Sequence, residues 1–224
     1  PNYSMLIFVV VVGLLASANA QMVQQCTCAE WEPCLNTGPE SFQQCADKCQ
    51  NHITAMGASY PAVRQCILSH LPMIETAINC TERSIGKACA PTAGYQVPKR
   101  YPETMQFAAF REINSMLKAS GIGSEASGLL HVGRKGAGCM MKCIHSSGGG
   151  CLKRLNCGLA LPSDNVMIAT VKQCAIGAGF DTNTVRQICS CIANAGIRNS
   201  ASAATLSTEN YLQLTNICPR LIVS

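Results

Sequence analysis

The sixteen cysteines constrain this chain more than any other feature. They fall into two sets of eight. The first is Cys26, Cys28, Cys34, Cys45, Cys49, Cys66, Cys80 and Cys89; the second is Cys139, Cys143, Cys151, Cys157, Cys174, Cys189, Cys191 and Cys218. Residues 90–138 between them hold none. At this density, in an oxidising compartment, cysteines are committed to disulfides rather than kept as thiols. Each set is even, so each can close on itself, which predicts two small modules joined by a linker.

The start of the chain supports an oxidising destination. From Met5 an uncharged apolar run leads to Ala18-Asn19-Ala20, with small residues where signal peptidase needs them. Residues 1–20 therefore read as a secretory signal peptide cut after Ala20, with Pro1–Ser4 translated upstream of the initiator. The run is too short for a comfortable membrane span. No second one follows, so the expected product is secreted and has no membrane span. The predicted organisation is 21–90 as a first cysteine-rich helical module, 91–138 as linker, and 139–224 as a second module. The linker is expected to hold one helix, Glu103–Ala119, and a glycine-rich mobile stretch, Gly121–Gly138.

Within the modules the periodicity is helical. Phe42, Cys45, Cys49, Ile53 and Met56 recur at spacings of three and four, and Gly57 stands just beyond as a stop. Pro61 and Pro72 suit first turns of the next two helices. Ser163-Asp164 and Asp181 are N-caps for Val166–Ile176 and Thr182–Ala195, with Gly177 and Gly196 as stops. No segment alternates as a strand would. The fold class is mostly α and disulfide-rich.

The two modules also look alike. Cys45-Ala-Asp-Lys48-Cys49 matches Cys139-Met-Met-Lys142-Cys143, and Val63-Arg-Gln-Cys66 matches Val171-Lys-Gln-Cys174. A CxxxC pair shares one helix face. Were the chain to reverse after Gly57, Cys49 would bond Cys66 and Cys45 would reach Cys80. By analogy Cys143 would take Cys174 and Cys139 would take Cys189. Cys151 and Cys157, which arrive together in an insertion, would bond each other.

The parts for catalysis or metal binding are scarce. His52, His70, His131 and His145 stand in no HExxH or CxxCH motif, and there is no GxSxG. Cys143-Ile-His145 would need a free thiol, and the CxC units Cys26-Thr-Cys28 and Cys189-Ser-Cys191 would need reduced sulfur to hold zinc. Disulfides are the stronger reading of all three. No enzyme, metal or cofactor is expected. The net charge of +5 is uneven: −2 over 21–90, +3 over 91–138 and +4 over 139–224. That asymmetry could favour a polyanion such as an acidic glycan, although the basic residues are scattered as on an ordinary solvated surface. Nucleic acid is excluded by the expected localisation. Asn79-Cys80-Thr81 is an N-glycosylation sequon. Ser127-Gly128, two residues after Glu125, is the best candidate for glycosaminoglycan attachment.

The CxxxC pair, the [KR]QC helix and the further cysteine together resemble the small cysteine-rich helical modules of secreted nematode proteins, of the type named for chondroitin proteoglycan 4. The similarity covers 41–90 and again 139–199. It implies an extracellular, eggshell-type or matrix protein, with chondroitin a family association; the dense Ser-Gly tracts of a dedicated proteoglycan are absent here. Three functions follow. The first is a secreted non-enzymatic protein in matrix assembly or protein interaction, with an extracellular protein or glycan as partner. The second is a carrier of a lipid or other apolar ligand in a cavity lined by methionine and aliphatic side chains. The third is a secreted inhibitor or effector.

Overall fold

The computed structural model describes residues 21–34, 39–147, 154–197 and 214–223. Residues 1–20, expected from the sequence to be a signal peptide, and Cys151 lie outside the described residues. The described chain is mostly α, as the periodicity predicts. It has one two-stranded antiparallel sheet, β1 (Met22–Gln24) against β2 (Gln96–Pro98), in the register Val23 opposite Val97. The helices are α1 (Cys28–Trp31), α2 (Pro39–Lys48), α3 (Asn51–Thr54), α4 (Tyr60–Leu68) and α5 (Leu71–Ile85), then α6 (Pro102–Ala119), α7 (Ser127–Ser147), α8 (Asp164–Gly177), α9 (Thr182–Asn194) and α10 (Leu214–Ile217).

Local chemistry explains most of the boundaries. Pro61, Pro72 and Pro102 sit in the first turns of α4, α5 and α6, where a missing N–H costs nothing. Asp181 caps α9 by accepting the Thr184 N–H at 2.8 Å. The same bond holds the Asp181 carboxyl below the usual carboxylate range. Gly57 and Gly196 end their helices at φ 81° and 96°. A Cβ on Gly196 would stand 3.2 Å from the Gly57 carbonyl oxygen, so these two stops meet in space.

The disulfides overturn the predicted pairing. Cys49 bonds Cys139, not Cys66, and Cys45 bonds Cys143, not Cys80. Cys66 bonds Cys191, Cys80 bonds Cys174, and Cys189 bonds Cys218. Cys143 and Cys174 are thus not partners, nor are Cys139 and Cys189. Cys157 bonds Cys26 rather than Cys151. Cys28 bonds Cys89, and Cys34 is also disulfide-bonded. Of the seven bridges whose partners are described, only Cys28–Cys89 and Cys189–Cys218 stay inside one set of eight. The sets therefore do not close on themselves. The physical reason lies in the helix packing: α2 lies on α7, α4 on α9, and α5 on α8. The cysteine-bearing helices α2, α4 and α5 of the first set thus each find their partner in the second.

That exchange has a pattern. The earlier cysteine of α2 bonds the later one of α7, and the converse holds for the second bond, so the two CxxxC segments run antiparallel. The Arg-Gln-Cys66 helix meets α9, and the Lys-Gln-Cys174 helix meets α5. Such reciprocal contacts are what two like elements make across a twofold axis.

The glycine-rich stretch expected to be mobile is helix from Ser127 onward. Helix propensity is low there, yet α7 is pinned by two bridges, and tertiary packing is what stabilises most helices. Gly136 faces His52, where a Cβ would lie 3.8 Å from the His52 Cβ in ordinary van der Waals contact. The predicted linker is not loose either. β2 is paired with β1, and Arg100 reaches the Leu161 carbonyl at 3.3 Å and Asp164 at 3.8 Å.

The interior is small and built largely of sulfur. Cys26, Cys34, Cys45, Cys49, Cys66, Cys174 and Cys218 are all buried, alongside Val63, Val97, Ile122 and Ile217. Among the described residues no polar or charged one is buried. Covalent closure takes over from a large apolar core, as in other disulfide-dense chains.

Candidate functional site

Two helical segments joined by two bonds leave a cleft between them. Its volume is about 800 Å³, within the range of small-ligand pockets, roughly 300–1,000 Å³. Lys48 and His52 line it from the α2–α3 side, and Lys135, Lys142 and Ser146 from α7, with Gly138, Cys139 and Cys143 between them. The three lysines are exposed and His52 is half-buried.

Helix geometry explains why these residues converge. Lys142 and Cys143 stand three and four residues after Cys139, Lys135 four before it, and Ser146 four and three after the pair, so all five share one face of α7. The Cys49 N–H donates to the Cys45 carbonyl at 3.0 Å, and the His52 N–H donates to the Cys49 carbonyl at 3.1 Å. The helical path thus continues from α2 into α3 and carries His52 to the same side as Lys48. The bonds Cys45–Cys143 and Cys49–Cys139, with Cα atoms 5.5 and 5.9 Å apart, fix the two faces against each other.

The electrostatics are one-sided. Among the described residues no carboxylate lines the cleft, and α7 has no Asp or Glu along its length. Asp47 precedes Lys48 in sequence but is tied elsewhere. Its carboxylate accepts the Tyr60 hydroxyl at 2.7 Å and pairs with Arg64 at 3.3 Å. Burial of the Tyr60 phenol, with the Asp47 carboxylate beside it, pushes its pKa up to about 12. Among the described residues, Lys48, Lys135 and Lys142 make no ion pair; the four pairs present use Arg64, Arg100, Lys172 and Arg220. Such a cleft can concentrate and hold anions.

The residues singled out from sequence lie elsewhere or are consumed by structure. Cys143 is bonded to Cys45, so it offers no thiol to His145. Both CxC units split between separate partners, Cys26 to Cys157, Cys28 to Cys89, Cys189 to Cys218 and Cys191 to Cys66. His70 packs its Nδ1 against the Cys66 carbonyl at 2.9 Å. Asn79 is exposed on α5, with Cys80 bonded to Cys174 and the Thr81 hydroxyl donating to the Ala77 carbonyl at 2.8 Å. Ser127 is exposed at the first position of α7, its hydroxyl donating to the Ser124 carbonyl at 2.8 Å.

A second, apolar groove of about 260 Å³ lies between α5 and α8, with Ile74, Ile78, Val171 and Phe180 among its lining. It is smaller than the usual ligand pocket. No helix among the described residues is long and apolar enough to cross a membrane. Sequence reading missed the cationic cleft, although one signal was present: a lysine stands just before the second cysteine of both CxxxC motifs. No family model, curated protein or solved structure matches the chain.

Proposed function

We propose that this is a secreted, non-enzymatic protein that acts as a covalently closed scaffold in extracellular assembly or protein interaction. The observation that carries this reading is the set of five disulfides between the two cysteine clusters, which lock distant helices together. Bonds of this number persist in an oxidising space and add stability that a small core lacks. The non-enzymatic part rests on the scarcity of catalytic motifs in the sequence, and a matrix role agrees with the module resemblance. Expression of the full chain in secreting animal cells tests it. The expected result is a chain beginning at Gln21, in the medium or bound to deposited matrix, with no thiol reactive before reduction. Retention inside the cell with residues 1–20 uncleaved, or free thiols in the folded product, would overturn it.

A further inference from the structure

We propose that the cleft between α2–α3 and α7 binds an acidic polysaccharide, a sugar chain bearing sulfate or carboxylate groups. The proposal rests on the extracellular reading above and names the ligand class of the cleft. The described lining brings three ammonium groups, an imidazole and a hydroxyl together, with no carboxylate among the described residues. Like charges gathered without counter-charges repel one another, a standing cost that a bound polyanion would remove. Asp47, the acid adjacent in sequence to Lys48, is held by Tyr60 and Arg64 instead.

The bridges make the site rigid. Lys48 immediately precedes Cys49, and Lys142 immediately precedes Cys143. Each ammonium therefore projects from a backbone position next to a covalent cross-link. Little of the backbone has to be ordered when a ligand arrives.

The arrangement is also doubled. Lys48 and Lys142 occupy the same step of their CxxxC motifs, and His52 and Ser146 each stand three residues after the second cysteine. All four line the same cleft. Antiparallel bonding of the two motifs presents them as two like arms, one from each segment. Two like arms suit a ligand that repeats its anionic groups, rather than a single small anion. Lys135 has no such counterpart, because Ser41 stands at the matching position, so one side is more basic. In an extracellular setting, the repeating polyanion of this description is an acidic polysaccharide.

Isothermal titration of the intact oxidised chain with a size-defined heparin oligosaccharide tests this, with inorganic sulfate and phosphatidylserine vesicles as separate arms. The expected result is oligosaccharide binding that weakens with added salt. Lys48→Gln and Lys142→Gln should each weaken it by about three- to tenfold, to similar extents, as expected for loss of one charged contact. The double variant should lose about the product of the two. Lys87→Gln, an exposed lysine outside the cleft, should leave binding unchanged. The disulfide map and unfolding temperature of each variant exclude misfolding as the cause. Four results would overturn the proposal: no oligosaccharide binding by the natural chain, unchanged binding by the double variant, sulfate alone binding as tightly, or binding to vesicles only. A secreted, fully oxidised chain that ignores the oligosaccharide refutes the glycan and leaves the scaffold reading standing; a retained or thiol-bearing chain refutes the scaffold.

Discussion

Removing one of the two bonds between α2 and α7 should cost much less than its sequence separation suggests. Cys49 and Cys139 are 90 residues apart, and closing a free loop of that length contributes about 4.6 kcal/mol in the chain-entropy model. Yet Cys45–Cys143 closes nearly the same loop one helical turn away. With that bond in place, Cys49–Cys139 closes only the ring formed by 45–49 and 139–143. For roughly ten residues the same relation gives about 2.7 kcal/mol. Cys49→Ala with Cys139→Ala should therefore lower the unfolding free energy by about 2.5–3 kcal/mol, plus a small cavity contribution at buried Cys49. Removing all four cysteines leaves Cys26–Cys157 as the nearest cross-link among the bridges whose partners are described. The open path through it runs over roughly 33 residues, so the total loss rises to at most about 6.5 kcal/mol, and less where the Cys34 bond closes a shorter path. Urea unfolding of the oxidised variants, followed by far-ultraviolet circular dichroism, measures both losses. A loss near 4.6 kcal/mol from the first pair alone would refute the shared-loop reasoning. So would a fourfold variant no less stable than the double one.

Cleavage of the folded chain after Lys99 or Arg100 should leave one species on a non-reducing gel and two after reduction, because five bonds cross that point; separation without reductant would refute the pairing. Gly158→Ala places a methyl 2.7 Å from Val23 Cγ2 and 3.1 Å from Val97 Cγ2. It should destabilise the chain by about 1–3 kcal/mol in thermal unfolding, and adding Val23→Ala should recover much of that. Because the folded pKa of Tyr60 is raised above that of the unfolded chain, its contribution is fully present below pH 10 and is lost as pH rises through about 12. Phenolate absorbance should show a late-titrating phase that Tyr60→Phe removes, and the absence of any such phase would contradict the Tyr60–Asp47 contact.

Local signals carried the helices and not their partners. The spacing of Cys45 and Cys49 correctly placed both on one face, and Asp181, Pro61 and Gly57 marked boundaries, because caps and periodicity act within a few residues. The partner of that face was not legible. An even count in each set is compatible with closure inside it or with exchange, and the choice depends on which helices pack together across some ninety residues. The two halves resemble each other, and the bonds join the resembling CxxxC segments to one another. α7 was missed for a related reason: its glycines weaken the local signal, while Cys139 and Cys143, which hold the helix, act through residues far away. The capping box at Thr27 and Glu30 was present in the sequence but went unread; the Thr27 N–H donates to Glu30 Oε2 at 2.9 Å. The cleft followed the bonds. Lys48 and Lys142 become neighbours in function only once the two CxxxC motifs are known to face each other.

The crossing bonds also impose an order on biosynthesis. Of the first cysteine set, only Cys28 and Cys89 are bonded to each other. On the proposed secretory route, Cys26, Cys45, Cys49, Cys66 and Cys80 have partners that the ribosome has not yet made when they reach the oxidising lumen. Cys45 waits for Cys143, 98 residues later, an interval of about 5–20 s at ordinary rates of synthesis. During that wait Cys45 and Cys49, one turn apart, are the nearest thiols available to each other and to Cys66 and Cys80. Any bond among them must be reopened before α7 can dock. The nascent chain therefore depends on its cysteines staying reduced or exchangeable until its second half emerges, and its yield should follow the thiol–disulfide exchange capacity of the secreting cell.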